Sequence, residues 1–133
     1  GPGREGLTMD EELFALLTGS AAVNALCGER TYWGLAPQGT PRPYLVLHII
    51  SGADNPHLTG TDGLWRYRVQ VDCYGEDRPQ ARALSRAVVG LLNGYRATAF
   101  RGVFLDTTRE QFEGAAAGRP SRISHDFTIA WRA

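Results

Sequence analysis

Residues 64–75, LWRYRVQVDCYG, alternate between two kinds of side chain, and this period of two limits the folds open to the chain. Successive side chains of a strand point to opposite faces, so the segment predicts a strand with two different sides. The apolar side carries Trp65, Tyr67, Val69, Val71 and Cys73, and the polar side carries Arg66, Arg68, Gln70, Asp72 and Tyr74. The apolar side must be covered by a second layer, whereas the polar side can meet water or a partner.

Four other segments are predicted to be strands. Residues 44–51, YLVLHIIS, are apolar on both faces apart from His48, which is typical of a central, well-covered strand. A short strand is predicted within residues 30–35, and longer ones at about 98–107 and 122–132. The connections between most of these segments are short and rich in turn residues, which favours hairpins.

Three helices are predicted from the signals at their ends. Thr8 followed by Glu11 forms a capping box, Ser20 caps a second, short helix, and Asp77 begins a third that ends at residues 93–94. The resulting order is α-α-β-β-β-α-β-β. This order predicts an α+β fold, with a mostly antiparallel sheet and helices packed on one face.

The length of 133 residues fits a single domain. The opening GPG resembles a protease-cleavage scar, so we expect residues 1–8 to be a scar and disordered N-terminus and residues 9–133 to be one domain. No apolar run approaches the roughly 18 residues that span a bilayer, and we expect no membrane association.

No pattern in the sequence supplies a catalytic or metal-binding motif. The histidines are His48, His57 and His125, and the chain has no HExxH, GxSxG, P-loop or GxGxxG pattern. The best catalytic combination would join Cys73 or Ser124 to His125 and to Asp126 or Asp72. Because neighbours on a strand face opposite ways, His125 and Asp126 should not share a site. We therefore expect a protein that is not an enzyme and holds no cofactor, with Cys27 and Cys73 as buried thiols.

Residues 52–63, GADNPHLTGTDG, are predicted to be a polar loop of twelve residues. Their Asp and Thr residues resemble a calcium loop, but the alternating ligand order of an EF-hand is missing. A solvated turn is the simplest interpretation. Because long loops in compact domains are usually functional or disordered, a contact loop is the alternative. Its candidate contact residues are Asp54, Asn55, His57, Thr59 and Asp62.

Arginine is the only strongly basic residue of the chain, with fourteen copies balancing fourteen acidic residues. Arg78, Arg82 and Arg86 form a stripe on the third helix, where like charges four residues apart repel each other. Acidic neighbours in the same chain, a subunit interface and a nucleic acid are three possible reasons for the stripe. The zero net charge and the lack of interleaved aromatic residues argue against nucleic acid.

The polar side of strand 64–75 also carries side chains whose partner has to be explained, namely Arg66, Arg68 and Tyr74. Arginine and tyrosine are enriched at protein interfaces, where each combines an apolar body with a polar tip. The sequence therefore favours a protein partner for this side of the sheet.

Several stretches, among them LLTGSAAVNAL, APQGTPRPY, RVQVDCYG and ISHDFTIAWR, resemble the tail-terminator (tail-completion) proteins of long-tailed phages and gene transfer agents. The resemblance extends from about Glu11 to Arg132. It implies a hexameric ring on the head-proximal end of the tail tube, which stops tube polymerisation and joins the tail to the head connector or neck. It also implies that DNA passes through the lumen without sequence-specific binding, that the protein resides in the virion tail, and that it assembles in the host cytoplasm.

Three other functions compete with this interpretation. A neck or head-closure adaptor would also be a small ring-forming α+β protein and differs in its binding partner. A single-stranded nucleic-acid binder would be released steeply by salt. A small hydrolase would lose activity when Cys73 or His125 is changed.

Overall fold

The computed structural model describes residues 8–51, 57–59, 64–97, 99–112 and 120–132 of the chain. Three helices lie in these parts: α1 (Met9–Thr18), α2 (Ala21–Cys27) and α3 (Arg78–Leu92). The strands there are β1 (Thr31–Trp33), β2 (Tyr44–Ser51), β3 (His57–Thr59), β4 (Leu64–Gly75), β5 (Phe100–Phe112) and β6 (Ser121–Trp131). Residues 1–7, predicted to be part of a disordered N-terminus, lie outside the described residues, whereas Thr8 caps α1.

The strands form one sheet in the order β1-β2-β4-β6-β5, and β3 pairs with β4 off this path. β1 runs parallel to β2, and the other pairs are antiparallel. The predicted α+β class, the mostly antiparallel sheet and the order of the elements are confirmed. The structure adds one short strand, β3, within the segment predicted to be a loop.

The hydrophobic core lies between the helices and one face of the sheet. The helices contribute Leu13, Leu17, Val23, Leu84 and Val88 to it, and the strands contribute Leu45, Leu47, Val69, Val71, Phe127 and Ile129, all without solvent exposure. The alternation in β4 thus predicted the buried side correctly, because Val69, Val71 and Cys73 all face the helices. Full burial of one such aliphatic side chain contributes about 1.5–3 kcal/mol, so this layer is the main stabilising element.

The turn from β4 into α3 is tight, and its residues were identifiable in the sequence. The Asp77 carboxylate accepts a hydrogen bond from the Gln80 backbone N–H at 3.0 Å, and the Gln80 side-chain oxygen accepts one from the Glu76 N–H at 2.7 Å. Gly75 is required just before, because a Cβ there would lie 2.4 Å from the Ala81 nitrogen. The N-terminus of α3 is therefore held directly against the end of β4.

β5 extends five residues beyond its predicted end at residue 107. Residues 106–111 are all exposed and polar, which makes them resemble a loop, but they pair with β6 at the edge of the sheet. The register shifts between Phe100 and Gly102 and again between Leu105 and Thr107. Such bulges interrupt the period of two, so the strand could not be traced to its end from its pattern.

Candidate interaction surface

The second face of the sheet lies opposite the helix layer and carries polar side chains from four adjacent strands. Residues directly opposite each other across antiparallel strands are close neighbours. The register places Gln70 of β4 between His48 of β2 and Asp126 of β6. Arg109 of β5 reaches the same region through its contact with Asp126. We call these residues, together with Arg68 and Asp72, the polar face.

Asp126 is the centre of the first cluster on the polar face. It is only 6% exposed, and both of its oxygens lie 3.4 Å from the guanidinium nitrogens of Arg109. An Arg68 nitrogen lies 3.9 Å from the same carboxylate. Arg68, predicted to contact a partner, therefore pairs with an acidic residue of its own chain.

Asp72 is the centre of the second cluster and is 1% exposed. The His48 Nε2 lies 3.3 Å from its carboxylate, and the Gln70 side-chain nitrogen donates to it at 2.8 Å. The oxygen of the same Gln70 amide accepts a hydrogen bond from Arg109 at 3.2 Å. Gln70 thus joins the two clusters, since it binds Asp72 directly and reaches Asp126 through Arg109.

A pocket of about 240 Å³ opens on the polar face beside Asp72. The rings of Tyr44 and Tyr74 are stacked along one side with their centroids 4.7 Å apart. Arg122 lies over the Tyr74 ring at 5.8 Å and donates to its hydroxyl at 3.3 Å. On another side, the turn after β1 carries Leu35, which is 82% exposed. The lining of the pocket therefore combines a carboxylate, an imidazole, a guanidinium, two aromatic rings and an exposed leucine.

Two of the predicted contact residues on β4 differ in how their own chain uses them. Tyr74 is a wall of this pocket and is held by Tyr44 and Arg122. Arg66 is exposed and forms no ion pair with any described residue. Of the two predicted contact arginines on this strand, Arg66 alone lacks an ion pair with a described residue, whereas Tyr74 lines the pocket.

The arginine stripe of α3 lies on the other side of the molecule. Arg78 donates two hydrogen bonds to Glu110 of β5, at 2.9 and 3.3 Å, and this contact lowers the pKa of the Glu110 carboxyl. Arg82 is half-buried and adds its charge to the same carboxylate. Arg86 is exposed and has no ion pair within the described part of the chain. An acidic neighbour in the same chain thus explains Arg78, but it does not explain Arg86.

The segment 52–63 is only partly described. Asp54, Asn55 and Asp62 lie outside the described residues. His57 and Thr59 belong to β3, whose backbone pairs with Arg66 and Leu64 of β4. The prediction that all twelve residues form a loop is therefore wrong at residues 57–59, which form a short strand paired with the start of β4.

Within the described part of the chain, His125 forms no hydrogen bond with any of the other residues considered for catalysis. His125 and Asp126 lie on opposite faces of β6, as expected, and His125 is buried against the helix layer. Burial also raises the pKa of the Cys73 thiol well above its ordinary value, so the reactive thiolate is disfavoured there. Cys27 is buried as well, and both cysteines are free thiols.

The contacts of His125 were not found from the sequence. Its Nε2 lies 2.6 Å from the Ser85 hydroxyl of α3, and its Nδ1 lies 2.9 Å from the Thr108 hydroxyl of β5. Burial lowers the pKa of the imidazole, and the charges of Asp126 and Asp72 oppose that shift. The position of His125 among apolar residues of its strand could have indicated that it needs buried hydrogen-bond partners. Thr108 could not be identified as one of them, because it lies beyond the predicted end of β5.

Within the described residues, no group of three or more His, Cys, Asp or Glu side chains could hold a metal ion. None of the helices in the same part of the chain is long and apolar enough to cross a membrane.

Fold and surface together define a small α+β domain whose sheet has one helix-covered face and one polar, pocketed face. The chain belongs to the family described as tail completion protein gp17, whose sequence model matches residues 11–132. It is therefore a structural protein of phage tails, and the resemblance found in the sequence is confirmed. None of the curated proteins matches the chain.

A solved structure gives a similar fold. One chain of the structure titled "Virion of native gene transfer agent (GTA) particle" is 15% identical and has a TM-score of 0.68. The match covers 91% of this chain and 92% of that chain. At this identity the likeness concerns the fold, which is shared along almost the whole of both chains.

Proposed function

We propose that this protein forms a hexameric ring on the head-proximal end of a phage or gene transfer agent tail tube. There it stops polymerisation of the tube and offers a surface to the head connector, while DNA passes through its lumen without sequence-specific contacts. The observation that carries the proposal is membership of a tail completion family over residues 11–132. In this role the protein catalyses no reaction, resides in the virion tail and assembles in the host cytoplasm.

The difference between the two sides of the subunit supports a ring. A ring needs a heterologous interface, in which two different patches of one subunit meet on neighbouring subunits. The polar face holds two buried carboxylates, whereas the exposed Arg86 lies on the helix side. The two sides of the sheet therefore present different groups, as the two patches of a heterologous interface do.

The predicted contact residues take different roles in this proposal. Arg66, Arg82 and Arg86 contact neighbouring subunits or the tube through their charges. Arg68, Arg78 and Tyr74 act indirectly, since each has a partner in its own chain. Asp54, Asn55, His57, Thr59 and Asp62 form a contact segment for the tube protein.

The experiment is polymerisation of the tail tube protein of the same phage with increasing amounts of the purified chain. We expect tubes to become shorter as the ratio of chain to tube protein rises, because capped ends stop growing. Tube lengths that do not depend on the added chain would contradict the proposal. Binding to the head connector with no effect on tubes would instead support a neck or head-closure adaptor.

A further inference from the structure

The two most exposed large apolar side chains of the described residues lie at opposite edges of the sheet. Leu35, in the turn after β1, is 82% exposed, and Phe104 of β5 is 54% exposed. β1 and β5 are the outermost strands in the sheet order. Both side chains lie on the same side of the sheet as the polar face, since Leu35 lines its pocket and Phe104 is paired with Thr128, the partner of Arg68. Single exposed apolar side chains are common, so their placement carries the argument.

The register of the sheet places Leu35 and Phe104 at nearly the same height along the strands. β1 pairs with β2 in parallel up to Trp33 and Leu47, and the same register extended by two residues brings Leu35 level with Ile49. One row of paired residues then crosses the sheet from β2 to β5, through Ile49, Val69, Phe127 and Leu105. Phe104 is the neighbour of Leu105, so its height differs from that of Leu35 by about one residue, or roughly 3.3 Å.

The ring of Phe104 is available to a side chain rather than to a strand of a partner. It lies along its own strand over Gly102, where an added Cβ would be 2.8 Å from a ring carbon. The backbone edge beside it is already bonded, because the Leu105 N–H donates to the Asn93 side-chain oxygen at 3.0 Å. A partner at this height therefore meets the exposed ring and does not extend the sheet.

The β5 side of the subunit has unpaired positive charge. Its acidic residues, Asp106 and Glu110, already accept hydrogen bonds within the chain. Three arginines on this side, in α3, in the turn after it and in β5, are exposed and form no ion pair with a described residue: Arg86, Arg96 and Arg101.

The β1 side of the subunit carries acidic residues instead. α1 packs against α2 and β1, whereas α3 packs against α2, β4, β5 and β6. Glu11 and Glu12 of α1, and Glu29 just before β1, have no ion pair with a described residue. Arg30 and Arg42 of this side are half-buried. The two edges therefore offer complementary charges to each other, which favours a second copy as the partner.

A ring whose axis runs along the strands brings these two edges together. A heterologous interface closes into a ring when successive copies are related by a rotation without a rise, so the groups that meet must lie at equal heights on the two edges. Leu35 and Phe104 meet this condition. Two copies joined through the same edge would form a two-fold dimer instead.

We infer that Phe104 at the β5 edge of one copy packs on Leu35 at the β1 edge of the next copy. This contact rests on the proposed ring and names one interface within it. It buries the two most exposed large apolar side chains of the described residues, and it directs the ring axis along the strands.

The first test is disulfide trapping in the full chain, alone and with tail tubes. The double variant Leu35→Cys/Phe104→Cys should form covalent ladders up to the ring size after oxidation. The matched control is Leu35→Cys/Gln111→Cys, which should form no ladder. Gln111 is exposed on the same strand as Phe104, and it lies at the other end of that strand, opposite Arg122.

The native cysteines, Cys27 and Cys73, are buried and should stay unreactive during this oxidation. Equal ladders in the two double variants, or no ladder with Phe104→Cys, would overturn the inference. Cross-linking of Leu35→Cys to the tube protein instead of to a second copy would overturn it as well.

The second test is a double-mutant cycle on ring dissociation, measured by sedimentation. Leu35→Ser and Phe104→Ser should each raise the dissociation constant by about tenfold or more, and the double variant should be little weaker than either single variant. Leu35→Ser should do so without changing the melting temperature of the subunit, since its side chain is exposed. Effects of the two variants that simply add would sink the contact.

The matched control for this cycle is Leu26→Ser, which changes an exposed leucine on α2. It should change the dissociation constant by less than about twofold, as surface substitutions outside a contact do. A loss equal to that of Leu35→Ser would show that exposed leucines stabilise the ring without the proposed contact.

The two tests separate this contact from the proposed function. If the unchanged chain forms rings and shortens tubes but Leu35→Cys/Phe104→Cys gives no ladder, the edge contact is wrong and the ring stands. If the unchanged chain forms no ring, alone or on tubes, both proposals fail.

Discussion

At the scale of single residues, Gln70 connects the two halves of the polar face. Its amide nitrogen binds Asp72 and its amide oxygen binds Arg109, so one neutral side chain connects two buried carboxylates. An amide can do this because it carries a donor and an acceptor on one planar group. A carboxylate at this position would repel Asp72, and a cation would lose the bond from Arg109.

We therefore expect Gln70→Met to lower the free energy of unfolding by about 1–3 kcal/mol, because Asp72 loses a hydrogen bond that water cannot easily replace. Urea denaturation measures this loss. Gln111→Met on β5 is the matched control, since the Gln111 side chain is exposed and has no hydrogen bond with a described residue; it should change stability by less than about 0.5 kcal/mol. Equal losses in the two variants would contradict the assigned role of Gln70.

His125 gives the protein a predictable response to acid. Burial lowers its pKa in the folded state below the ordinary value of 6.5, so the folded protein favours the neutral ring. Below that ordinary value the unfolded chain binds the proton more readily than the folded chain does. The stabilising contribution of the neutral ring is thus complete above pH 6.5 and is lost as the pH falls towards the folded pKa.

Denaturation curves at a series of pH values test this response. The unchanged protein should lose stability as the pH falls below 6.5, and His125→Gln should lose clearly less over the same range. Thr108→Val removes one hydroxyl partner but leaves the imidazole buried, so it should retain the pH dependence. The same pH dependence in the unchanged protein and in His125→Gln would show that another group is responsible.

At the scale of elements, the junction of β4 and α3 depends on Gly75. A Cβ at this position would meet backbone atoms of Ala81 and Asp77 at 2.4–2.9 Å, and backbone cannot rotate away as a side chain can. We expect Gly75→Ala to destabilise the protein by about 1–3 kcal/mol or more through overpacking.

The matched control for Gly75→Ala is Gly90→Ala in the exposed part of α3. A Cβ there would have nothing within 4 Å, so the substitution should stabilise the helix by about 0.5–1 kcal/mol. Thermal melts of both variants measure the two effects. If Gly75→Ala left the melting temperature unchanged, β4 and α3 would have to lie further apart than described.

The elements that could be predicted from the sequence are those with local signals. The period of two in β4, the apolar run of β2 and the Asp77 cap of α3 each carried their own evidence, and each is confirmed. The end of β5 and all of β3 could not be predicted, because their pairing with β6 and β4 is stabilised by distant partners rather than by their own composition.

The candidate surface was only partly predictable for the same reason. Arg66 and Arg68 were correctly assigned to the polar side of β4, but the sequence could not reveal that Arg68 meets Asp126. The pocket also escaped prediction, since its walls come from the turn after β1 and from β2, β4 and β6. Contacts between segments far apart in the chain require the register of the sheet, which no single segment contains.

At the scale of the whole molecule, the two sides of the sheet differ. The helix layer supplies stability and carries Arg86, while the polar face carries the pocket and the two buried carboxylates. A subunit with different and complementary sides can form a closed ring without a symmetric dimer interface. This is the property that the proposed ring requires.

Electron microscopy of tail tubes mixed with the purified chain tests this claim most directly. We expect one ring of six subunits at a single end of each tube, with an open lumen and with no chain bound along the sides. Bare tube ends, or chain bound along the length of the tube, would contradict it.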